Sequence, residues 1–137
     1  MGHQILAACI MIAAQAHDVP PALLAGIYRA EGGKPGLEVS NTNKSHDLGP
    51  MQINTIWLPE LAKQWDISKE DALIRVRDNT CANIDVAAWI LRKHLNETHD
   101  LSKALKHYHS RTPEFGEKYK NRVINVMKKY GLLKTRH

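Results

Sequence analysis

The chain has 137 residues, of which 43% are hydrophobic and 24% charged. That length fits one ordinary domain around a single hydrophobic core, and the balance excludes the low-hydrophobicity signature of an intrinsically disordered chain. Nineteen Lys and Arg against fourteen Asp and Glu give a formal charge of +5, a field that concentrates a polyanionic partner such as nucleic acid, anionic lipid or an acidic cell-wall glycan.

Ile5 to Ala14 is an unbroken apolar run ending in Ala14-Gln15-Ala16, which mimics a signal peptidase site, while Leu6-Ala7-Ala8-Cys9 mimics a lipoprotein box. The four residues before the run contain no Lys or Arg, and cleavage would remove one of the two cysteines and strand the other. The run is therefore expected as a buried first helix, Gln4 to His17, of a mature chain. Met1-Gly2-His3 reads as an added remnant, with the native export signal already removed. No stretch is long enough for a transmembrane helix, so stable membrane insertion is not expected.

Asp18 with Pro20 and Pro21 breaks that helix, and Pro21 suits the first turn of a second one running through Leu23, Leu24, Ile27 and Tyr28 to about Glu31. Gly32, Gly33, Pro35 and Gly36 stop it. Residues 32–49 have the composition of a loop, long enough to suggest function. From about Asn54 a helix carries Ile56, Trp57, Leu61 and Trp65. Ser68 with Asp71 resembles a capping box opening a short helix through Ala72, Leu73 and Val76. Thr80 is the expected cap of the next helix, where Ile84, Ala88, Leu91 and Leu95 recur at helical spacing and face the core.

Ser102 to His109 fits a further helix, and after the Arg111-Thr112-Pro113 break a last one runs from about Glu114 to Tyr130, closed by Gly131. No alternating strand pattern stands out, so the fold is expected to be mainly α. The densest basic group, Lys118, Lys120, Arg122, Lys128 and Lys129, reads as the solvated face of the last helix. Without a reading motif or a concentrated basic patch, nucleic acid is not an expected partner. The two cysteines, Cys9 and Cys81, allow a bridge or two buried free thiols.

Glu31 ends an apolar helix immediately before a glycine pair, so its carboxyl group can project into a cleft beside closely approaching backbone. Downstream lies Asp47-Leu48-Gly49-Pro50-Met51-Gln52-Ile53-Asn54, where amides alternate with apolar groups after a Gly-Pro turn. The ordered set of ALLAGIYRAEGG around Glu31, Asn41-Thr42-Asn43, DLGPMQIN, Cys81-Ala82-Asn83-Ile84 and AAWIL closely resembles the lytic transglycosylase domain. It is most similar to the short forms that accompany conjugation, pilus and secretion machines. The resemblance runs from about Cys9 to Tyr130 and implies one catalytic domain over residues 1–137, with a core at about 4–131. It also implies a helical, goose-type-lysozyme-like fold with a substrate groove, and cleavage of the MurNAc-GlcNAc bond with formation of a 1,6-anhydro ring.

Carried over residue by residue, the resemblance makes Glu31 the catalytic acid and base. One carboxyl group serves both steps, because the substrate's own N-acetyl group can stabilise the cationic centre, so no second acidic partner is expected. Partial desolvation by Ile27 and Met51 is expected to keep Glu31 protonated near neutral pH. Gly49, Met51, Gln52 and Asn54 match the segment that lines the glycan groove, with Pro50 in place of the usual leucine. Tyr108 matches the tyrosine held to bind the catalytic carboxyl group, although His107 and His109 flank it where the family has Ala and Asn. His109 is either a sugar ligand in place of that amide or an exposed helix-end histidine. Tyr119 resembles the late tyrosine that closes the cleft.

The family's second acidic residue near there has no counterpart, since Phe115 falls at its place, and Gly32 replaces the usual serine after the glutamate. Glu114 and Glu117 lie near and read as surface residues. The three tryptophans read as core aromatics, one of which can edge the groove.

The eight histidines lack a zinc-site pattern, so no metal and no cofactor is assigned. The implied partners are peptidoglycan glycan strands and secretion, conjugation or pilus apparatus proteins. A periplasmic or exported location follows from the substrate, and the family's cysteines at similar positions favour a Cys9–Cys81 bridge in that oxidising space. Two rival readings remain open: a wall-binding component of such a machine, and a lysozyme that hydrolyses the same bond.

Overall fold

In the computed structural model, residues 2–133 are described; Met1 of the expected added remnant and residues 134–137 of the expected domain lie outside them. Seven helices and one small sheet make up the described chain: α1 (His3–His17), α2 (Pro21–Glu31), β1 (Glu38–Ser40), β2 (His46–Leu48), β3 (Ile53–Asn54), α3 (Leu58–Trp65), α4 (Lys69–Asp78), α5 (Thr80–Thr98), α6 (Leu101–His109) and α7 (Pro113–Lys129). A 3-10 turn at Thr55–Trp57 leads into α3. None of these helices is long and apolar enough to cross a membrane.

α5 is the central element, with α1, α4 and α6 packed against it, and α7 closes the fold over α2 and α6. Ile84, Ala88 and Leu91 of α5 are fully buried at helical spacing, as their pattern requires, and Leu95 packs half-buried at the edge of the same core. The first helix is buried on one face only: Ile10, Ala13 and Ala14 face inward, whereas Ile12 remains 66% exposed. Cys9 and Cys81 form a disulfide with Cα atoms 5.3 Å apart, tying α1 to the start of α5.

Local chemistry sets the helix boundaries. Pro21 occupies the first turn of α2, where its missing N–H costs nothing, and Gly32 ends the helix at φ 62°, donating its N–H to the Tyr28 carbonyl. Ser68 Oγ accepts from Asp71 N at 3.0 Å, the cap expected from the sequence. At α5 the cap is Asn79, whose Oδ1 accepts from Ala82 N, and Thr80 is the first helical residue. Asn outranks Thr at such a position, and the side chain one residue earlier has the reach to the third N–H.

The expectation of a structureless loop before residue 49 is corrected by the antiparallel sheet β1-β2-β3. Val39 pairs with Asp47, Asp47 with Asn54, and Leu48 with Ile53. Two- and three-residue strands are too short to show period-two alternation in a sequence window. The period holds in space: Leu48 and Ile53 are buried, while the adjacent pair Asp47 and Asn54 turns the other way.

α2 and α7 run antiparallel, and Gly26 lets them approach closely. A Cβ at Gly26 would stand 2.5 Å from Met127 Cγ and 3.5 Å from Val123 Cγ1. Progress toward the end of α2 therefore meets earlier residues of α7, which brings Glu31 opposite Tyr119.

Candidate active site

The end of α2 is held against the sheet region by Gly33, where an added Cβ would lie 2.2 Å from the Gly49 carbonyl oxygen and 2.8 Å from that of Pro50. No side chain fits there, so the chain leaving Glu31 runs directly against the Gly49-Pro50 turn. Beside this contact opens a cleft of about 300 Å³. Glu31 lies in it with Asp47, Gln52 and Asn54 from the sheet region, Tyr108 and His109 from the end of α6, and Trp57 at its edge. Asn41, Asn43 and Ser45 complete a polar wall.

That wall is cross-linked by its own hydrogen bonds. Asn54 Nδ2 donates to Asp47 Oδ1 at 3.1 Å and to Ser45 Oγ at 3.0 Å. Asn41 Nδ2 donates to the same Ser45 oxygen at 3.1 Å, and Ser45 Oγ donates to Asn43 Oδ1 at 2.6 Å. Side chains fixed in this way lose little further freedom when a polar ligand binds.

Glu31 accepts a hydrogen bond from the Tyr119 hydroxyl at 2.8 Å. Burial lifts its carboxyl group from the ordinary 4.5 to about 7; the Tyr119 bond and the Arg122 charge pull it down, and the Asp47 charge pushes it up. A carboxyl group in this range is substantially protonated near neutral pH and returns readily to carboxylate, which is what a group serving as acid and then base needs.

The tyrosine that holds the carboxyl group is not the one expected. The Tyr108 hydroxyl donates to the Met51 carbonyl at 3.1 Å, bracing the Gly-Pro turn, and the carboxyl group is held by Tyr119. Tyr119 is buried beneath the His109 ring, stacked at 4.6 Å between centroids, with the Arg122 guanidinium 5.3 Å from its own ring. Burial lowers the His109 pKa from its ordinary value, so a neutral imidazole borders the cleft.

Two residues of the DLGPMQIN segment do not line the cleft as expected. Met51 is fully buried and Gly49 is buried in the turn at φ 69°. The backbone on either side of the turn is gripped by Asn83 of α5, whose Oδ1 accepts from Met51 N at 2.8 Å and whose Nδ2 donates to the Leu48 carbonyl at 2.9 Å and to the Val76 carbonyl of α4 at 2.8 Å. Gln52 and Asn54 do line the cleft, and Gln52 Nε2 is turned back to the Gly49 carbonyl at 3.0 Å. Phe115 is exposed beside Lys118, Tyr119 and Arg122, while Glu114 and Glu117 form surface ion pairs with Lys118 and with Lys106 and Lys120.

Sequence reasoning missed Asp47 as a site residue. It lies in the same cleft as Glu31 and acts on it electrostatically, although no second acidic group is expected there. Its strand pairing with Asn54 places it on the cleft side, and that pairing leaves no local signal in the sequence.

Residues 8–129 match the family of the Transglycosylase SLT domain. A stretch of 56 residues is 43% identical to a protein of Escherichia coli O157:H7 described as "Peptidoglycan-binding-like protein". That stretch is 41% of this chain and spans about a third, 32%, of the relative's length. With the match covering nearly all of a mainly helical, lysozyme-like fold, the chain belongs to the SLT-type transglycosylase family.

Proposed function

We propose that the protein is a peptidoglycan lytic transglycosylase in which Glu31 acts as acid and then as base. The observation that carries this reading is the Glu31 carboxyl group itself: buried, raised to about 7 and held by Tyr119 in a cleft whose wall of amides and hydroxyls suits sugars. Protonated Glu31 delivers its proton to the glycosidic oxygen between N-acetylmuramic acid and N-acetylglucosamine, and that bond breaks. The acetamido oxygen of the muramic residue stabilises the positive charge at its anomeric carbon. Glu31, now a carboxylate, takes the proton from the C6 hydroxyl as that oxygen closes on the anomeric carbon. The 1,6-anhydro product forms without water, and the proton is back on Glu31.

Gln52, Asn54 and His109 are the side chains we assign to sugar contacts, with Tyr119 orienting the carboxyl group and Tyr108, Met51 and Gly49 shaping the turn beside it. The single domain of residues 1–137 serves local opening of the wall for a secretion, conjugation or pilus machine, as the likeness to the short machine-associated forms suggests. A periplasmic or exported setting suits both the substrate and the Cys9–Cys81 bridge. The likeness to the peptidoglycan-binding-like protein of E. coli points to the same polymer.

Asp47 favours a second reading. A second carboxylate in the cleft can steady the cationic centre or orient a water molecule, and the same fold would then hydrolyse the bond as a lysozyme. Mass spectrometry of muropeptides released from purified peptidoglycan by the wild type and by Glu31→Gln separates the readings. Anhydromuramyl products from the wild type alone are expected. Reducing-end products would establish the hydrolase, and no release by the folded wild type would leave a wall-binding component.

A further inference from the structure

The dense basic group near the C-terminus reads in sequence as one solvated face, and the fold divides it. Lys120 is half-buried and pairs with Glu117 at 3.5 Å. Lys118, Arg122 and Lys129 fall on a different stripe of α7, spaced by four and seven residues. This stripe is continuous with the cleft. His109 lines both the cleft and a neighbouring depression that also contains Lys118 and Arg122, and those two residues line a shallow groove that runs on to Lys129. From Lys118 to Lys129 the helix rises ~16 Å.

The charges on the stripe are available. Among the described residues, no carboxylate neutralises Arg122 or Lys129, whose cationic heads lie over the Tyr119 and Tyr130 rings, and Lys118 has only the exposed Glu114 at 3.6 Å, a kind of pair that contributes little. Asn121 and Asn125 line the same groove and make no side-chain hydrogen bond among the described residues.

We infer that this basic arm binds the carboxylates of the peptide stems on muramic acid, so that the protein prefers peptide-substituted strands over naked glycan. The inference rests on the peptidoglycan reading above. Charge and continuity select this occupant. A stem peptide hangs from the sugar whose bond lies at Glu31, carries carboxylates at its acidic residue and its terminus, and extends ~14 Å for about four residues. Strands stripped of stems keep only a lactyl carboxylate at the sugar itself and present nothing to Lys129.

The test compares the wild type with a Lys118→Gln/Lys129→Gln variant on two materials, intact peptidoglycan and strands freed of stems by an amidase. Both lysines are exposed, so folding is retained, and Arg122 is left in place because its charge also acts on Glu31. The wild type is expected to release product from intact strands with about fivefold higher kcat/KM than from stripped ones, a preference that shrinks with salt and collapses toward one in the variant. Co-sedimentation of Glu31→Gln protein, with and without the two lysine changes, reads the arm without chemistry, and selective retention by intact strands is expected only when the lysines are present. Equal cleavage and equal retention of both materials would overturn the arm while leaving the catalytic reading intact. Selective retention without cleavage by the wild type would uphold the arm and defeat the catalytic reading.

Discussion

The Tyr119 hydroxyl reaches Glu31 Oε2 at 2.8 Å across 88 residues of sequence, so the last helix sets the position and the proton affinity of a group carried by the second. The bond favours the carboxylate and opposes the dominant effect of burial. Tyr119→Phe is therefore expected to raise the Glu31 pKa further and move the alkaline limb of kcat/KM upward in pH. The loss of orientation should at the same time lower the maximal rate about tenfold or more. A pH–rate profile of the variant checks both; an unmoved limb would show that Tyr119 does not govern the reacting carboxyl group.

The two charges acting on Glu31 have opposite signs, and so do their predicted effects. Removing the Asp47 charge by Asp47→Asn should lower the Glu31 pKa and pull the alkaline limb downward. Arg122→Gln should shift it upward, because a cation that stabilises the carboxylate is lost. Both variants are measured on the same substrate in the same low-salt buffers. Product analysis of Asp47→Asn adds a separate readout: a purely lytic enzyme keeps forming anhydro sugar, whereas a hydrolase relying on Asp47 loses its rate.

Burying Glu31 also has a cost in stability that depends on pH. Its folded pKa of about 7 lies above the ordinary 4.5, so between these values the folded state binds a proton that the unfolded state has released. Stability from this group is full below about pH 4.5 and is lost as pH rises through about 7, by about 3 kcal/mol. Glu31→Gln carries no such charge. The variant should therefore gain on the wild type as pH is raised from 5 to 8, and denaturant titrations at several pH values measure the gap. A gap that stays constant with pH would contradict the buried, protonated state.

Much of this arrangement is legible in the sequence. Pro21, Gly32 and the apolar spacing between them define α2 and leave Glu31 at its end, and the four core positions of α5 are set by helical periodicity alone. Asp47 is not legible in that way, because its direction depends on a two-residue pairing with β3 that local propensity does not encode. Met51 and Gly49 sit in a motif that suggests a groove lining, yet the turn rotates both inward, and a linear motif carries no information on which atoms face the ligand. That Tyr119 and not Tyr108 holds Glu31 has a similar origin. It follows from the close approach of α2 and α7 at Gly26, a relationship between distant segments.

Asn83 is the residue through which the helical core controls the cleft. Fully buried on α5, it satisfies one N–H and two carbonyls of the segments that carry the Gly-Pro turn and the end of α4. Asn83→Ala leaves those backbone groups unpaired in an interior that water does not reach. An unsatisfied buried group costs roughly 1–3 kcal/mol, so a total loss of about 3 kcal/mol and a fall in Tm of about 10 °C are expected. Asn83→Asp should do no better, since it keeps an acceptor for Met51 N but turns a second oxygen toward the Leu48 and Val76 carbonyls. The same loss of grip loosens the turn against which Gly33 packs, so kcat/KM should fall even at temperatures where the variant is fully folded. Thermal denaturation together with activity at low temperature separates the two effects. A Tm within about 3 °C of the wild type would mean that the turn is held by its own packing and the Tyr108 bond, with Asn83 only filling space.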